Sequence, residues 1–121
     1  MKSKIVALSK NEDFKNLLIQ KKISNKYTTI YFGHVSNKNK NKLNISFVAK
    51  KKIGNAVKRN KIKRRLRNIV NDMIKKISIN LNYSYLVIAK VTMLNNEYIK
   101  IKETLFIDFK KIKWTQLSHT Y

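Results

Sequence analysis

The 121-residue sequence contains no cysteine and no proline, and it has only two glycines. The absence of cysteine excludes disulfides and cysteine-ligated zinc sites, which is consistent with a reducing compartment. Scarce proline and glycine argue against long loops and flexible linkers, so we expect a single domain over residues 1–121. No apolar run approaches the roughly 18 residues that cross a bilayer, and the apolar segment near the N-terminus is too short for a secretory signal. We therefore expect a cytoplasmic protein with no membrane partner.

Acidic residues are also scarce. Six Asp and Glu residues stand against 28 Lys and Arg residues, which gives a formal net charge of +22. Such an excess repels itself, and a bound polyanion should stabilise the folded state. Because 43% of the residues are hydrophobic, the chain can still bury a modest core. The composition therefore indicates a folded basic domain rather than a disordered basic tail.

Arginine is confined to one stretch of the chain, residues 50–67. Ten of these eighteen residues are Lys or Arg, none is acidic, and all four arginines of the protein lie here, at positions 59, 64, 65 and 67. A general drift in composition would scatter the arginines. Because the planar guanidinium group binds phosphate through two hydrogen bonds, the stretch predicts a phosphate-binding element with a nucleic acid as partner.

The basic stretch opens a predicted helix over residues 56–77, with Asn55 as its N-cap. At 100° per residue, one stripe is apolar and faces the core: Ile62, Leu66, Ile69, Val70, Met73 and Ile77. The cations divide between two flanks, with Asn60, Lys63, Arg64 and Arg67 on one and Lys58, Lys61 and Arg65 on the other. Like charges four residues apart cost about 0.2–0.5 kcal/mol each, which favours a bound polyanion over a merely solvated surface.

The other predicted elements follow from hydrophobic periodicity and from helix-start residues. Ser9 and Glu12 form a capping-box pattern that begins the first helix. The strands over 27–35 and 43–49 are expected to pair as a hairpin. The strand over 84–91 should pair in parallel with an earlier strand across the basic helix. The elements are a helix over 9–22, strands over 27–35, 43–49 and 84–91, and a closing helix over 95–113, followed by a frayed tail over 115–121.

Residues 53–67, IGNAVKRNKIKRRLR, resemble the Arg-Asn-Arg signature of the bacterial ribonuclease P protein component. Lys61 stands where that family usually has the second Arg, so the charge is kept but the bidentate geometry is not. The segment LSKNEDFKNLL also resembles the family's opening helix. The resemblance implies an α+β two-layer sandwich of three helices and a small mixed sheet of about four strands. It also implies a left-handed β-α-β crossover.

The resemblance further implies what the protein does. It would bind the catalytic RNA of ribonuclease P and the 5′ leader of precursor tRNA, and assist the endonucleolytic cleavage that generates the mature tRNA 5′ end. The residues expected to bind RNA are Lys51, Lys52, Asn55, Arg59, Asn60, Lys61, Lys63, Arg64 and Arg67. Those expected to line the leader-binding cleft are Phe14, Leu18 and Tyr31, where Leu18 replaces a second aromatic of the family.

No catalytic or metal site is visible in the sequence itself. The carboxylates are dispersed on predicted helices or explained by capping, and His34 and His119 are far apart in the chain. There is no Gly-rich phosphate loop. The resemblance implies that the RNA subunit is the catalyst, with Mg²⁺ bound mainly by that RNA and the substrate.

Several alternatives remain open at this stage. Phe14 and Tyr31 could simply belong to the core, because apolar stripes on helices and strands usually do. The chain could be a small ribosomal protein or a general RNA chaperone, which would bind many structured RNAs equally. The basic helix could instead bind in a groove of DNA, in which case duplex DNA would compete for the protein. We do not expect duplex DNA as a partner. A membrane-surface helix would need a free apolar face.

Overall fold

The computed structural model describes residues 4–8, 10–36, 38–39, 41–94 and 98–118, with side chains to residue 112. Three α-helices and five strands are found in this part of the chain, together with two short 3₁₀ segments. The helices are α1 (Asn11–Leu18), α2 (Ala56–Lys76) and α3 (Tyr98–Ser118). The strands are β1 (Ile5–Val6), β2 (Lys21–Ser24), β3 (Thr28–Gly33), β4 (Leu43–Val48) and β5 (Ser84–Ala89), and the 3₁₀ segments are Lys51–Ile53 and Val91–Leu94.

The strands form one mixed sheet in the order β1-β4-β5-β3-β2. β1 and β5 both pair with β4 in parallel, whereas β3 pairs antiparallel with β5 and with β2. The predicted parallel pairing across the basic helix is therefore confirmed. The predicted hairpin of β3 with β4 is wrong, because β5 lies between them and β3 forms its hairpin with β2. Alternation along a strand fixes which residues share a face, but it does not choose the neighbouring strand.

One face of the sheet is covered by α2 and α3, and we call it the closed face. Its fully buried side chains include Ile30 and Phe32 of β3 and Tyr85 and Val87 of β5. The apolar stripe of α2 packs against it as predicted, with Ile62, Leu66, Ile69, Val70 and Met73 buried. From α3, the buried residues are Ile101, Leu105, Phe109 and Ile112. This is the main hydrophobic core.

The opposite face is only partly covered by α1, and we call it the open face. Leu17 of α1 is buried there with Leu8 and Leu86. Around this small cluster lie side chains that are only partly buried: Phe14, Tyr31, Val35, Val48 and Ile88. The predicted α+β class with three helices and a mixed sheet is confirmed. The sheet has five strands rather than about four, and α1 adds a partial third layer to the two predicted. The handedness of the β4-α2-β5 crossover stays an expectation from the resemblance.

The first helix is shorter than predicted. α1 covers Asn11–Leu18, and the end of the predicted span, residues 21–24, is strand β2. Pairing with β3 overrides any local helical preference there. The N-cap is Lys10, which makes no side-chain capping hydrogen bond. Ser9, on which the predicted capping box depends, lies outside the described residues. Glu12 and Asp13 do lie in the first turn as predicted.

The bounds of the two long helices agree better with those predicted from the sequence. α2 begins after Asn55 as predicted, and it ends one residue before the predicted position. α3 extends to Ser118, into the segment predicted as a frayed tail. The predicted start of that helix, residues 95–97, and the last three residues, 119–121, lie outside the described residues. No helix in the described part is long and apolar enough to cross a membrane.

Candidate nucleic-acid interface

The start of α2 is fixed by local hydrogen bonds and by one glycine. The side-chain oxygen of Asn55 accepts a hydrogen bond from the backbone N–H of Lys58 at 3.0 Å. Gly54 has a φ of +150°, which residues with a side chain rarely adopt, and a Cβ there would lie 2.9 Å from Cδ of Lys58. Ile53, at the end of the preceding 3₁₀ segment, is buried in the core. The first turn of α2 is therefore held in place while its polar side chains remain exposed.

A cleft of about 460 Å³ lies between α1, β4 and one flank of α2, and we call it the first cleft. The flank contributes the four residues that the sequence grouped together, and Phe14 of α1 lies on the opposite side. The guanidinium carbon of Arg67 is 5.9 Å from the centre of the Phe47 ring, a cation–π distance. The complete lining is Ala7, Phe14, Ile45, Ser46, Phe47, Val48, Asn60, Lys63, Arg64 and Arg67.

Three of the four arginines of α2 are not neutralised by any acid among the described residues. Within the part of the chain that the structure describes, Arg59, Arg64 and Arg67 make no ion pair with a carboxylate. The Nε of Arg59 is also buried without a hydrogen-bond partner. With no acid between residues 14 and 71 in the sequence, the charge of this flank is left for a ligand to satisfy.

Several of the protein's acids are engaged or buried elsewhere. Asp108 is buried and accepts a 2.7 Å hydrogen bond from Asn25. Asp13 is fully buried. Asp72 lies further along α2 and pairs with Lys102 at 2.7 Å. The hydrogen bond from the Lys102 ammonium lowers the pKa of Asp72 below its usual value and raises the pKa of Lys102. These positions leave the first cleft basic.

A second cavity of about 470 Å³ lies on the open face, and we call it the second cleft. Tyr31 is part of its wall, and Lys22 Nζ is 5.9 Å from the centre of the Tyr31 ring. Lys90 also borders it and donates hydrogen bonds to the Ser24 hydroxyl and the Asn25 carbonyl. The full lining is Thr29, Tyr31, Lys50, Lys52, Ile88, Ala89, Lys90, Val91 and Thr92.

The register of the sheet places the two clefts side by side. Val48 lines the first cleft and is directly paired with Ile88, which lines the second. Ile88 is in turn paired with Thr29 of β3. Because neighbouring strands lie only about 4.8 Å apart, these three residues form a short row that connects the clefts across the open face. The clefts therefore border one continuous surface with basic residues along both sides.

The leader-cleft residues proposed from the sequence are placed differently from one another. Phe14 lines the first cleft and Tyr31 the second, and both are partly buried at the edge of the same small cluster. Leu18 is 48% exposed and lines neither cleft. The two aromatic rings thus share the open face without sharing a cavity.

The proposed RNA-binding residues also divide into groups. Asn60, Lys63, Arg64 and Arg67 meet in the first cleft, and Lys52 lines the second. Lys51 is exposed on the Lys51–Ile53 segment and is not among the lining residues of either cleft. Lys61 lies on the opposite flank of α2, away from both clefts, with Lys58 and Arg65.

Sequence reasoning did not single out Lys50 and Lys90 as site residues. Lys50 belongs to the basic stretch, so its charge was a usable signal. Lys90 is an isolated lysine after a strand, and only the pairing of β5 with β3 brings it to the second cleft. Among the described residues, no group of three or more His, Asp or Glu side chains could hold a metal ion.

A protein-family model described as Ribonuclease P matches residues 3–113. The chain belongs to the ribonuclease P protein family. It is 31% identical over 110 residues to the ribonuclease P protein component of Carboxydothermus hydrogenoformans, covering 88% of this chain and 90% of the relative. It is 39% identical over 101 residues to that of Fusobacterium nucleatum, covering 79% and 84%. The protein is therefore a protein component of ribonuclease P, a tRNA-processing endonuclease.

Solved structures of this family share the fold. The RNase P protein from Thermotoga maritima matches with a TM-score of 0.72 at 22% identity, over 88% of this chain and 96% of that one. The Staphylococcus aureus RNase P protein matches with a TM-score of 0.65 at 30% identity, over 88% and 94%. The family predicted from the Arg-Asn-Arg-like stretch is thus confirmed.

Proposed function

We propose that this protein binds the catalytic RNA of ribonuclease P and the 5′ leader of precursor tRNA, and so assists the cleavage that frees the mature 5′ end. Membership of the family supports the overall role. The observation that supports the rest is the first cleft, where four polar or cationic side chains of α2 face an aromatic ring. Among the described residues, no carboxylate pairs with the two arginines of this cleft. The reaction takes place in the cytoplasm, without a membrane or duplex DNA as partner.

The basic residues provide phosphate contacts on both sides of the open face. Arg64 and Arg67 offer forked donors for phosphate oxygens, and Lys63 offers a point charge. Lys52 and Lys51 continue the positive surface towards the second cleft. Arg59 and Asn60 lie in the first two turns of α2, where the helix dipole adds to the attraction of an anion.

The aromatic residues provide contacts with unpaired bases. Phe14 and Tyr31 are each partly buried against the small cluster of the open face, so part of each side chain stays exposed. A ring held in this way stacks on any base, which suits a leader of variable sequence, and each stack contributes roughly 1–3 kcal/mol. The short row of Thr29, Ile88 and Val48 connects the two clefts across the open face, and it gives the leader a path from one ring to the other.

Chemistry on the phosphodiester belongs to the RNA and its Mg²⁺ ions. The described residues offer no cluster of three metal-ligating side chains, so the fit of Mg²⁺ to protein ligands alone is poor. Mg²⁺ would be held mainly by the catalytic RNA and the substrate, and it would supply the activation of water there. The protein's contribution is to neutralise phosphate charge and to position the leader.

Reconstitution tests this proposal. The protein is mixed with the catalytic RNA from the same organism and a precursor tRNA at low Mg²⁺ concentration, and release of the leader is followed. We expect cleavage well above that of RNA alone and none by protein alone. Equal rates with and without protein would reject the proposal. A general RNA chaperone or a ribosomal protein would instead bind unrelated structured RNAs as tightly as the catalytic RNA, and a competition assay separates these outcomes.

A further inference from the structure

The side of α3 that faces away from the sheet borders an apolar cavity of about 520 Å³. Ile99 is 70% exposed and Ile107 is 53% exposed, and Phe106, which lies between them in sequence, is partly buried. The lining residues, which we call the α3 groove, are Lys76, Ile99, Lys102, Glu103, Phe106 and Ile107. Because these exposed apolar side chains adjoin one cavity rather than lie singly, they indicate a surface for a partner.

The α3 groove lies apart from the surfaces assigned to RNA. The two clefts lie on the open face and beside the first half of α2, whereas α3 packs on the closed face. Arg67 is the last α2 residue of the first cleft, and Lys76 of the groove lies about 13 Å further along the helix axis. An RNA bound at the two clefts would therefore leave the α3 groove accessible.

The charges around the α3 groove favour an acidic partner. Lys76 makes no ion pair with a carboxylate among the described residues. Lys110 is exposed and follows Ile107 by three residues, so it continues the same side of α3. Lys102 is already paired with Asp72 at 2.7 Å. Because the whole chain has a net charge of +22, a second copy of it would be repelled, whereas an acidic partner would be attracted.

One carboxylate in the α3 groove favours a helix over a flat anionic surface such as a membrane. Glu103 is exposed and pairs with no cation among the described residues. Anionic head groups would repel it, whereas a helix can place an apolar or a cationic side chain opposite. Ile99, Glu103 and Ile107 repeat every four residues, so the groove runs along α3. A helix laid into such a groove contributes apolar side chains at a matching spacing.

We propose that the α3 groove binds an acidic amphipathic helix of a partner protein. The apolar side of that helix packs on Ile99, Phe106 and Ile107, and its carboxylates lie beside Lys76 and Lys110. The inference does not depend on the proposed function, because no residue of the groove belongs to either cleft. The protein would then hold RNA on one side and an acidic protein on the other.

A designed peptide tests the proposal. The probe is a fluorescein-labelled peptide of about 18 residues, with Leu on one side of the helix and Glu on the other. A control peptide has the same composition, but its Leu and Glu residues are rearranged so that neither is confined to one side. Fluorescence anisotropy measures binding to the full-length protein, free and in complex with the catalytic RNA, at physiological salt concentration. We expect the amphipathic peptide to bind in both states, and the control peptide to bind about ten-fold more weakly.

Variants of the α3 groove locate the binding site. Ile99→Ser combined with Ile107→Ser should weaken peptide binding by about ten-fold or more, because two aliphatic side chains no longer contact the peptide. The control, Ile19→Ser with Leu81→Ser, changes side chains that are 82% and 42% exposed elsewhere and should leave binding unchanged. Lys76→Gln should weaken binding about two- to five-fold, as expected for one surface ion pair. Circular dichroism checks that each variant is folded.

Several results would overturn the proposal. Equal binding of the two peptides would show that net charge alone attracts them, and equal binding by the wild type and the Ile99 and Ile107 double variant would place the site elsewhere. Loss of the peptide from the RNA complex would place its site within the RNA interface. A dimer in light scattering that the double variant abolishes would assign the groove to a second copy of the chain. Sedimentation with phosphatidylglycerol vesicles that the double variant abolishes would assign it to a membrane surface. Cleavage of precursor tRNA tests the proposed function separately from all of these.

Discussion

Aromatic residues lie on both the closed and the open face of the sheet, but they differ in how far they are buried. On the closed face, the rings of Phe32 and Tyr85 are almost fully buried. On the open face, Phe14 and Tyr31 are only partly buried, and each borders a cleft lined by lysine or arginine. Aromatic rings therefore pack in the core on the closed face and are candidate ligand contacts on the open face. The difference depends on how much of each face is covered by helices.

The difference follows from helix length and from charge. α2 and α3 have 21 residues each, so each is about 30 Å long, and both contribute buried side chains to the closed face. α1 has eight residues and is about 12 Å long. It can cover only part of the open face, and the basic residues of α2 and of the Lys51–Ile53 segment line what remains.

The largest expected effect is on the closed face. Leu66→Ala removes a side chain of α2 that is 0% exposed, and it should lower the free energy of unfolding by about 2–5 kcal/mol. Urea denaturation at fixed salt concentration measures this. The matched change on the open face is Val48→Ala, where the partly buried side chain should cost less than about 1.5 kcal/mol. Equal losses at the two positions would remove the distinction between the faces.

The next effect is on leader binding. Phe14→Leu and Tyr31→Leu keep an apolar side chain but lose the flat ring, and each should weaken binding of precursor tRNA by about 1–3 kcal/mol. Binding of mature tRNA, which has no leader, should stay the same. Ile99→Ala on α3, where the side chain is 70% exposed, serves as the control. Equal weakening for precursor and mature tRNA would show that the rings support the fold rather than the leader.

A smaller effect should separate helix capping from RNA binding. Asn55→Ala removes the hydrogen bond to the Lys58 backbone and should lower the free energy of unfolding by about 1 kcal/mol. Asn55→Asp keeps that hydrogen bond and favours the helix dipole, so stability should be retained. Its negative charge would however repel phosphate, and the salt slope of RNA binding should fall by about 1. An Asp variant that binds RNA as tightly as wild type would place Asn55 outside the interface.

The smallest expected effect concerns the Asp72–Lys102 pair, which links α2 to α3 on the solvent side. The Lys102 ammonium lowers the pKa of Asp72, so the pair stabilises the fold above the ordinary Asp pKa. That stabilisation is lost as the pH falls through the lowered pKa. Asp72→Asn should therefore reduce the melting temperature slightly at neutral pH, less than Asn55→Ala does, and not at all in strong acid. A difference that grows on acidification would contradict this assignment.

Sequence patterns predicted the elements whose local and tertiary preferences agree. α2 has 21 residues with one clear apolar stripe and a polar N-cap, and both the stripe and the cap are found where expected. β2 was missed because its pairing with β3 is not encoded in its own four residues. β1 has only two residues, too few for any periodicity to be visible.

The site was predictable where it lies on one element and less so where it spans several. Asn60, Lys63, Arg64 and Arg67 share a flank by helical geometry alone. Ser46 is buried on the open face and accepts a hydrogen bond from the Leu8 backbone at 2.9 Å. Its burial depends on β1 and α1, which lie elsewhere in the sequence. The division of Phe14 and Tyr31 between two clefts likewise depends on strand order, which alternation does not fix.

The account rests on Arg64 and Arg67 of α2, which have no counter-charge among the residues that the structure describes. The most direct test is the salt dependence of binding to the catalytic RNA for Arg64→Gln combined with Arg67→Gln, with Lys75→Gln and Lys76→Gln as the charge-matched control. The slope should fall by about 2 in the first variant and much less in the control. The free energy of unfolding of the arginine variant should fall by no more than about 1 kcal/mol, because Arg67 loses its cation–π contact with Phe47. An unaltered slope, or an unfolded arginine variant, would contradict the account.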